Sequence, residues 1–472
     1  MITLRPHQDQ WITDLRTALR TNQAVMAQAP TGFGKTVCSA FMAQNTVAKG
    51  NGLIFIVHRQ ELIDQTSNTF TLAGVKHGFV AAKRPFNPHC KIKVASVGTL
   101  VNRLDKVKVP ELVVVDEAHH ATAVSWNKVV QWAKDGGARI VGLTASPWRL
   151  DAKGFREFDA MIEGPSTSWL IENKFLSDYR AFAPSTPDMT GVGKSMGDFE
   201  RRGMEKVMDT PKLVGDAVRH YLKYARGMKT LVFCVSIKHS IHMAEQFRAA
   251  GVSALHLDGT TPTDERRRAV KAFADGHIEV LCNVDLFGEG FDLSSLAGKD
   301  VPIEAVIMCR PTMSLSMYLQ QCGRGLRYKK APAIILDHAG NMEKHGLPDG
   351  DREWSLEPRK KKKKGEAGGS VPIKQCPQCF FCHAPAPVCP NCDHVYEAAG
   401  REIDEEEGDL AEISVVQARA LRKSEEKNAR TIEALTELGR ERGYRHPQEW
   451  AAHKLSARLV ASRRFRNQRR YG

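Results

Sequence analysis

The sequence predicts a protein of the α/β class built from two parallel-sheet domains in tandem. Strand-like apolar runs alternate with helical stretches over the first 160 residues, and a second alternating set begins near residue 211. Parallel strands need a long crossover, usually a helix, so this alternation is typical of parallel sheets covered by helices. A third observation is a glycine-containing turn that begins at Ala29 and leads directly into a predicted helix.

The predicted strands are short apolar runs, and the predicted helices carry apolar residues at helical spacing. The strands of the first domain are Leu53–Val57, Lys93–Val97, Leu112–Asp116 and Arg139–Thr144, and its helices include Lys35–Val47 and Gln60–Leu72. The strands of the second domain are Thr230–Val235, Ser253–Leu257, Glu279–Asn283, Ala305–Cys309 and Ala333–Asp337, and its helices include Ser314–Gln321. Residues 184–198 are rich in Pro, Gly, Ser and Thr, which predicts a mobile surface loop.

The overall charge is strongly basic. The hydrophobic fraction is 42%, and 68 Lys and Arg against 54 Asp and Glu leave a formal net charge of +14. This excess favours a polyanionic partner, although solubility alone could also explain it. No apolar run approaches the roughly 18 residues of a membrane span, and the N-terminus lacks a signal pattern. We therefore expect a cytoplasmic protein with no membrane partner.

The turn that begins at Ala29 reads Ala-Pro-Thr-Gly-Phe-Gly-Lys-Thr and has the composition of a phosphate-binding loop. Gly32 and Gly34 allow backbone N–H groups to turn inward. Lys35 can reach the outer phosphates of a nucleotide, and the Thr36 hydroxyl can hold Mg²⁺. Alanine replaces the usual first glycine and cannot cheaply adopt a positive φ, so the loop should open in an ordinary conformation.

An acidic pair follows the apolar run Leu112–Val115, which predicts a buried parallel strand. Asp116 would lie at the carboxyl end of this strand, beside the metal, and Glu117 is a candidate base for water. Together with the phosphate loop, the pair predicts nucleotide hydrolysis.

Five of the eleven cysteines fall between Cys376 and Cys392. Cys376 with Cys379, and Cys389 with Cys392, form two Cys-x-x-Cys pairs, each able to place two thiolates on one Zn²⁺. Redox chemistry is the alternative, but no thioredoxin-like βαβ context surrounds the pairs. The sequence therefore predicts a structural zinc module, with further candidates for the fourth ligand at Cys382, His383 and His394.

These features divide the chain into five predicted segments. The two α/β domains should cover residues 1–165 and 166–347. A basic linker at residues 348–371 should lead to the zinc-ribbon-like module at 372–397, which could dock on the α/β domains, touch nucleic acid or recruit a protein partner. A charged, helical and basic C-terminal region should cover residues 398–472, where the arginines could bind phosphates or simply form a frayed basic end.

Roughly residues 1–340 carry a set of ordered motifs. In chain order the motifs are Leu4-Arg5-Pro6-His7-Gln8, Ala29–Thr36, His58-Arg59-Gln60-Glu61-Leu62, Ser96-Val97-Gly98-Thr99-Leu100, Asp116–His119, Leu143-Thr144-Ala145-Ser146-Pro147, Asn283–Asp292 and Gln320-Gln321-Cys322-Gly323-Arg324-Gly325-Leu326-Arg327. Their order and spacing resemble those of superfamily 2 helicases of the DEAH-box group. The cysteine cluster adds a closer resemblance to RadD-type DNA-repair helicases and phage-encoded helicases.

The resemblance implies two RecA-like domains, ATP with Mg²⁺ as the nucleotide, and a role for each matched residue. It implies nucleotide contacts for Arg5, Gln8, Pro30, Thr31, Gly32, Phe33, Gly34, Lys35, Thr36, Gly290 and Asp292. It implies catalytic roles for Glu117, Gln320, Arg324 and Arg327, coupling roles for His119, Thr144 and Ser146, and nucleic-acid contacts for His58, Arg59, Ser96 and Thr99. Plainer alternatives are an ordinary polar side chain at Gln8, a strand cap at Thr144 and Ser146, structural histidines at His119 and His120, and exposed polar residues at Arg59 and Thr99.

The role of the two arginines can also be argued from their spacing and charge, independently of the family resemblance. Arg324 and Arg327 are three residues apart, so both guanidinium groups can face one side. Closure of the second domain on the first would bring them to the γ-phosphate, where such an arginine is worth about 10³–10⁵ in rate. ATP binding would then close the domains, and hydrolysis would let them part.

The expected function is therefore an ATP-dependent helicase or translocase on single-stranded, forked or branched DNA, in repair, recombination or replication. Contacts should go mainly to the phosphate backbone, because a motor must accept any sequence. The alternatives are an RNA helicase, a translocase subunit of a restriction or defence system, and a non-hydrolysing nucleic-acid clamp.

Overall fold

The computed structural model describes residues 2–120, 124–149, 151, 153–183, 186–195, 197–288, 293–358 and 373–396, and residues 424–426, 428–429, 431–442, 447–448, 450–452 and 454–455. The chain divides into two compact units, Met1–Glu397 and Ala398–Gly472. The first unit contains two parallel sheets with helices packed on them, so the predicted tandem α/β architecture is confirmed.

A seven-stranded parallel sheet forms the first lobe. Its strands are β1 (Ala24–Gln28), β2 (Leu53–Val57), β3 (Gly78–Val80), β4 (Ile92–Ser96), β5 (Leu112–Val115), β6 (Arg139–Thr144) and β7 (Ala160–Glu163). They lie in the order β3-β4-β2-β5-β6-β1-β7. Phe55 of β2 packs into one hydrophobic cluster and its neighbours Ile54 and Ile56 into another. Both faces of the sheet are covered, which explains the continuous apolar runs.

Helices cover both faces of this sheet. They are α1 (Pro6–Thr21), α2 (Lys35–Ala48), α3 (Glu61–Leu72), α4 (Val97–Leu100), α5 (Val124–Asp135) and α6 (Thr167–Glu172). Two short 3₁₀ turns occupy Leu104–Lys106 and Ala118–His120. Helix α2 begins where the phosphate loop ends, so the loop is held between β1 and a helix N-terminus.

The second lobe is built on a six-stranded parallel sheet with a small hairpin attached. The strands from here on are β8 (Tyr179–Phe182), β9 (Lys194–Ser195), β10 (Asp198–Phe199), β11 (Thr230–Phe233), β12 (Ala254–Leu257), β13 (Val280–Asn283), β14 (Ala305–Met308) and β15 (Ala333–Asp337). The sheet order is β12-β13-β11-β14-β15-β8, and β9 and β10 form the antiparallel hairpin.

Helices also pack on the second sheet. They are α7 (Arg201–Met208), α8 (Pro211–Tyr224), α9 (Ile237–Ala249), α10 (Thr263–Ala274), α11 (Leu293–Ala297), α12 (Leu315–Leu326) and α13 (Asn341–His345). Helix α12 is longer than the predicted Ser314–Gln321 and continues through Gly323 and Gly325. The Ser314 hydroxyl caps it by accepting a hydrogen bond from the Met317 N–H at 3.2 Å.

Strands β1, β3, β7 and β8 were not predicted. Strand β1 reads Ala-Val-Met-Ala-Gln, which includes residues with weak strand preference, and β3 has three residues. Strand β8 is the edge of the second sheet, which therefore begins at Tyr179 rather than near residue 211. Local sequence marks such strands weakly because neighbouring strands supply their stability.

The segment 184–198, predicted as a mobile loop, contributes to the hairpin β9–β10. Its last residue, Asp198, fastens the hairpin to the second lobe. The Asp198 carboxylate accepts a hydrogen bond from the Met313 N–H at 2.6 Å and another from the Thr312 hydroxyl at 3.0 Å. The described end of this segment is thus tied to the residues that precede α12.

Residues 373–396, here called the cysteine module, pack against the free edge of the second sheet. The module contains β16 (Lys374–Gln375) and β17 (Cys382–His383), which pair antiparallel. The Ala183 N–H donates to the Phe380 carbonyl oxygen at 3.0 Å, and Phe381 pairs with Phe182 of β8. The sequence left open whether the module docks on the α/β domains, touches nucleic acid or recruits a protein partner, and the structure shows that it docks on the second lobe.

In the second unit, the described helix Ile432–Glu441 is capped by the Thr431 hydroxyl, which accepts from the Ala434 N–H at 3.2 Å. Leu435 of this helix is fully buried. Across the described part of the chain, no helix has both the length and the hydropathy to span a bilayer.

Candidate nucleotide site and cysteine cluster

The phosphate loop has a geometry that only glycine suits at two positions. Gly32 and Gly34 have φ values of +86° and +97°. A Cβ at Gly32 would lie 2.7 Å from Leu176 Cδ2, and one at Gly34 would lie 2.6 Å from Gln8 Nε2. Ala29 is fully buried with an ordinary φ, and its N–H is hydrogen-bonded to β6 at 3.0 Å. Alanine therefore opens the loop without distorting it, as predicted.

Lys35 begins α2 and lies close to the acidic pair. Its Nζ donates to the carbonyl oxygens of Ala29 at 2.8 Å and Pro30 at 3.2 Å. Desolvation lowers the pKa of Lys35, while the nearby Glu117 and Asp116 carboxylates oppose that shift. Desolvation raises the pKa of Asp116, and the adjacent Glu117 carboxylate raises it further. Two carboxylates share this part of the cleft, so an additional cation would stabilise them.

The oxygen atoms at this position fit Mg²⁺. Asp116 directly follows β5, Thr36 is the second residue of α2, and hydroxyl and carboxylate oxygens are the donors that Mg²⁺ prefers. Glu117 has a φ of +47°, a left-handed conformation uncommon for a residue other than glycine. Its Oε2 is buried and accepts no hydrogen bond from the described residues. The Nδ1 atom of His119 lies 3.3 Å from this oxygen. These residues could hold the ion together with the phosphates of a nucleotide.

Helix α12 of the second lobe contacts this part of the first lobe directly. Gln320 Nε2 donates to Glu117 Oε1 at 3.1 Å, and both side chains are buried. One turn later, a Cβ at Gly323 would lie 2.4 Å from Thr31 Cγ2, so only glycine lets α12 approach the phosphate loop this closely. The two lobes therefore meet at the phosphate loop and the acidic pair.

The two predicted arginines lie at the end of α12. Arg324 follows the glycine that contacts the loop, is 8% exposed, and donates to the Gly288 carbonyl oxygen. Arg327 caps the helix, and its own carbonyl oxygen accepts from the Ser177 hydroxyl at 3.0 Å. The structure thus places both arginines at the C-terminal end of α12, shortly after the glycine that contacts the phosphate loop. Their action on a γ-phosphate stays a prediction.

His119 joins the acidic pair to the predicted coupling residues. Its Nδ1 lies 3.1 Å from Thr144 Oγ1, which also accepts a hydrogen bond from the Ser146 N–H at 3.1 Å. Its Nε2 lies 3.2 Å from Ser316 Oγ on α12. The three predicted coupling residues are therefore connected, and the connection crosses to the second lobe through Ser316. Sequence reasoning missed Ser316, although its position one helical turn before Gln320 places it on the same face of α12.

The predicted adenine-reading residues lie next to the phosphate loop. The Arg5 N–H donates to Gln8 Oε1 at 3.0 Å, and Gln8 Nε2 donates to the Phe33 carbonyl oxygen at 2.8 Å. The Arg5 guanidinium lies 5.4 Å from the centre of the Phe175 ring, which stacks on Trp169 at 5.9 Å. These two aromatic residues were not predicted, because nothing in the local sequence connects them with the start of α1.

The predicted nucleic-acid contacts differ in exposure. Arg59 is exposed and donates to the Asp285 carbonyl oxygen of the second lobe at 3.1 Å, and His58 is half-buried. Ser96 is 4% exposed and donates to Thr99 Oγ1 at 2.9 Å, so its hydrogen bond orients the Thr99 side chain. Strand binding by this set stays a prediction. Two predicted nucleotide contacts lie outside the described residues, namely Gly290 and Asp292.

The four predicted cysteine ligands converge. Their Sγ atoms all lie within 4.8 Å of one another, with 3.6 Å between Cys376 and Cys392 and 3.7 Å between Cys379 and Cys389. Four thiolates at 2.3 Å from Zn²⁺ would be about 3.8 Å apart, so the set fits a tetrahedral zinc site. Two of the three alternatives have other contacts: Cys382 packs into the second lobe, and His383 Nε2 lies 2.7 Å from the Tyr396 hydroxyl. The third, His394, is not in the converging cluster.

We expect about one zinc per chain, because four thiolates complete a structural site. Replacing Cys376 and Cys379 by serine removes half of the ligands, so elemental analysis of the purified variant should show the zinc lost. Cys90→Ser, at a half-buried cysteine outside the cluster, should keep it. Metal-free wild-type protein in which residues 373–396 resist proteolysis as well as they do with zinc would contradict the site.

Comparison with known proteins finds family matches in both lobes. Residues 1–149 match the family described as type III restriction enzyme, res subunit, and residues 214–329 match the helicase conserved C-terminal domain. A 51.5 kDa protein of a Lactococcus phage (isolate 7-9) is 36% identical over 357 residues, which are 75% of this chain and 74% of the relative.

Two further likenesses are more distant. The IRC3 protein of Saccharomyces cerevisiae, whose name designates an ATP-dependent helicase, is 28% identical over 71% of this chain, and the match spans only 51% of that relative. The structure of the DUF1998 helicase MrfA bound to DNA superposes with a TM-score of 0.51 at 15% identity, over 71% of this chain and 49% of that one. At this identity the likeness shows the fold alone.

A phosphate loop and an acidic pair on one lobe, met by an arginine-bearing helix of the other, define a nucleoside-triphosphate hydrolase of the two-domain motor class. Within that class, the chain belongs to the superfamily 2 helicases, which are ATP-dependent helicases and translocases acting on nucleic acid. The membership and the ATP-hydrolysing activity predicted from the motifs are confirmed at this level.

Proposed function

We propose that this protein is an ATP-dependent DNA helicase or translocase that acts on single-stranded, forked or branched DNA in repair, recombination or replication. The observation that carries the proposal is the contact of α12 with the first lobe, where Gln320 meets Glu117 and Gly323 meets Thr31. This contact brings a predicted catalytic residue of each lobe within hydrogen-bond distance of the other, which supports the proposal. The proposed motor domains are residues 1–165 and 166–347.

In the proposed reaction, Lys35 and the amide groups of the loop bind the phosphates, and Glu117 accepts a proton from the attacking water. Gln320 holds the Glu117 carboxylate through their 3.1 Å hydrogen bond. Arg324, with Arg327 beside it, supplies positive charge as charge develops on the γ-phosphate. Mg²⁺, held by Asp116 and Thr36, would neutralise phosphate charge.

Coupling to movement follows from the same contacts. His119 connects Thr144 of the first lobe with Ser316 of the second, so separation of the lobes must break a hydrogen bond next to Glu117. Hydrolysis and lobe movement are therefore linked through shared contacts, and a strand held by both lobes would advance with each cycle. The four cysteines are proposed to hold Zn²⁺ and to stabilise the cysteine module on the second lobe.

DNA is the proposed polymer for two reasons. The formal net charge of +14 favours a polyanion, and the helicase MrfA in the similar structure is bound to DNA. A translocase subunit of a restriction or defence system is the second candidate, because the family matched by residues 1–149 is named for a restriction-enzyme subunit. RNA is less favoured as the substrate.

ATPase measurements with no polymer, single-stranded DNA, forked DNA and RNA test the proposal. We expect DNA to stimulate turnover about tenfold or more, and RNA to do so less, because the motor closes fully only when both lobes grip a strand. A fluorescent forked duplex would show strand separation, and displacement of a third strand from duplex DNA would show translocation alone. Turnover that no polymer changes would reject the motor in favour of a clamp.

A further inference from the structure

Residues 347–358, which follow α13, leave the second lobe and cross to the first. We call residues 347–358 the strap. In its second half, half-buried and exposed residues alternate, as in an extended chain lying on a surface. The half-buried set is Arg352, Trp354 and Leu356, and the exposed set is Asp351, Glu353, Ser355 and Glu357.

The beginning of the strap is fixed to the second lobe. The Arg352 guanidinium donates to four carbonyl oxygens at 2.6–3.3 Å, those of His345, Leu347, Pro348 and Gly350. The Tyr179 hydroxyl of β8 donates to the Asp349 carboxylate. Leu347 and Trp354 pack against a hydrophobic cluster of the same lobe. One arginine therefore shapes the turn from which the strap departs.

The end of the strap is fixed to the first lobe. The Phe155 N–H donates to the Leu356 carbonyl oxygen at 2.8 Å, and the Leu356 side chain packs against a first-lobe cluster that contains Phe155. A Cβ at Gly154 would lie 2.5 Å from that same carbonyl oxygen and 2.9 Å from Pro358 N. Gly154 thus leaves room for the strap backbone, which a larger residue would displace.

Trp354, between the two anchors, contacts the segment that carries the coupling residues. Its ring meets Trp148 edge-to-face, with 5.2 Å between centroids and 68° between planes. The Trp148 N–H donates to the Ser146 carbonyl oxygen at 2.8 Å, and the Ser146 N–H donates to Thr144 Oγ1. A chain of contacts therefore runs from the strap to Thr144, and from there to His119.

We propose that the strap holds the two lobes in register and that Trp354 is a positioning residue, acting through Trp148 on the Thr144–Ser146 segment to couple polymer binding to hydrolysis. This rests on the proposed function and extends it to residues outside the recognised motifs. If the lobes part during the cycle, either Leu356 leaves the first lobe or Trp354 leaves the second. The contacts of the strap therefore affect how readily the two lobes come together again after they have separated.

The test compares full-length wild-type protein with Trp354→Ala, Trp354→Phe, Gly154→Ala and Glu353→Ala. The readout is the ratio of DNA-stimulated to basal ATPase, which does not depend on the fraction of folded enzyme. We expect Trp354→Ala and Gly154→Ala to lower this ratio about tenfold. The KM for ATP should stay within about twofold, because the phosphate loop is untouched. Trp354→Phe should recover most of the ratio, and exposed Glu353→Ala should match wild type.

Each outcome decides the proposal. An unchanged ratio in Trp354→Ala would overturn it, and so would a loss that Trp354→Phe does not recover or that Gly154→Ala does not share. A fall in Tm with an unchanged ratio would show a merely structural strap. If no polymer stimulates the wild-type enzyme, the proposed function fails and the coupling role fails with it. Stimulated wild type with unaltered variants rejects the strap alone.

Discussion

Lys35→Ala should lower ATP turnover about 10³-fold, whereas the Kd for single-stranded DNA should change about twofold at most. Lys35 lies at the start of α2, and its Nζ donates to the Ala29 and Pro30 carbonyl oxygens of the phosphate loop. Removing it leaves the developing phosphate charge without its nearest cation, but the side chain does not lie on the outer surface where a strand would bind. Steady-state ATPase and fluorescence anisotropy would measure the two effects.

Lys49→Ala is the matched control. Lys49 caps the other end of the same helix and is exposed, so its loss removes one positive charge from α2 without entering the cleft. Its turnover should equal that of wild type. Equal turnover in Lys35→Ala and wild type would contradict the assignment of residues 29–36 as the phosphate loop.

Arg324→Ala should lower polymer-stimulated kcat by about 10³-fold, and Arg324→Lys should recover only part of the loss. Arg324 is 8% exposed and directly follows Gly323, the glycine that faces Thr31 of the phosphate loop. Its charge acts when the lobes are closed, so the loss should fall on kcat and not on nucleotide binding. Single-turnover hydrolysis at saturating ATP would distinguish an effect on the chemical step from an effect on nucleotide binding.

Arg267→Ala, at an exposed arginine on α10 of the same lobe, should leave kcat unchanged. Arg327→Ala should have a smaller effect than Arg324→Ala, because Arg327 lies further along the chain from Gly323, the residue that faces the phosphate loop. An Arg324→Ala enzyme with wild-type kcat would show that the second lobe does not supply charge to the reaction, and the shared-cleft mechanism would be rejected.

Much of the fold and of the candidate site could be predicted from short stretches of sequence. The alternation of apolar runs with helices gave two parallel sheets, because buried parallel strands are continuous in hydrophobicity and each needs a crossover. Strands β1 and β8 were missed. Strand β1 contains residues of weak strand preference, and the partners of both strands lie far away in sequence. The phosphate loop and the acidic pair were visible because each is a short stretch of chain whose chemistry needs fixed spacing.

Contacts between segments that are distant in the chain could not be predicted, because they leave no local pattern in the sequence. Ser316 lies 197 residues from His119 in the chain, and no local pattern marks a serine that hydrogen-bonds across a cleft. The same holds for the strap, whose Trp354 and Leu356 read as ordinary linker residues until the tertiary structure sets them against Trp148 and Phe155.

The amino-acid sequence alone determined the architecture, the stretch of chain that forms the loop before α2 with its acidic pair, and the four clustered cysteines, because periodicity and short spacings are local properties of the chain. Only the tertiary structure decided which face of α12 meets the first lobe, that the cysteine module docks on β8, and that the strap crosses between the lobes. Those contacts depend on the shapes of surfaces that exist only after both sheets have folded.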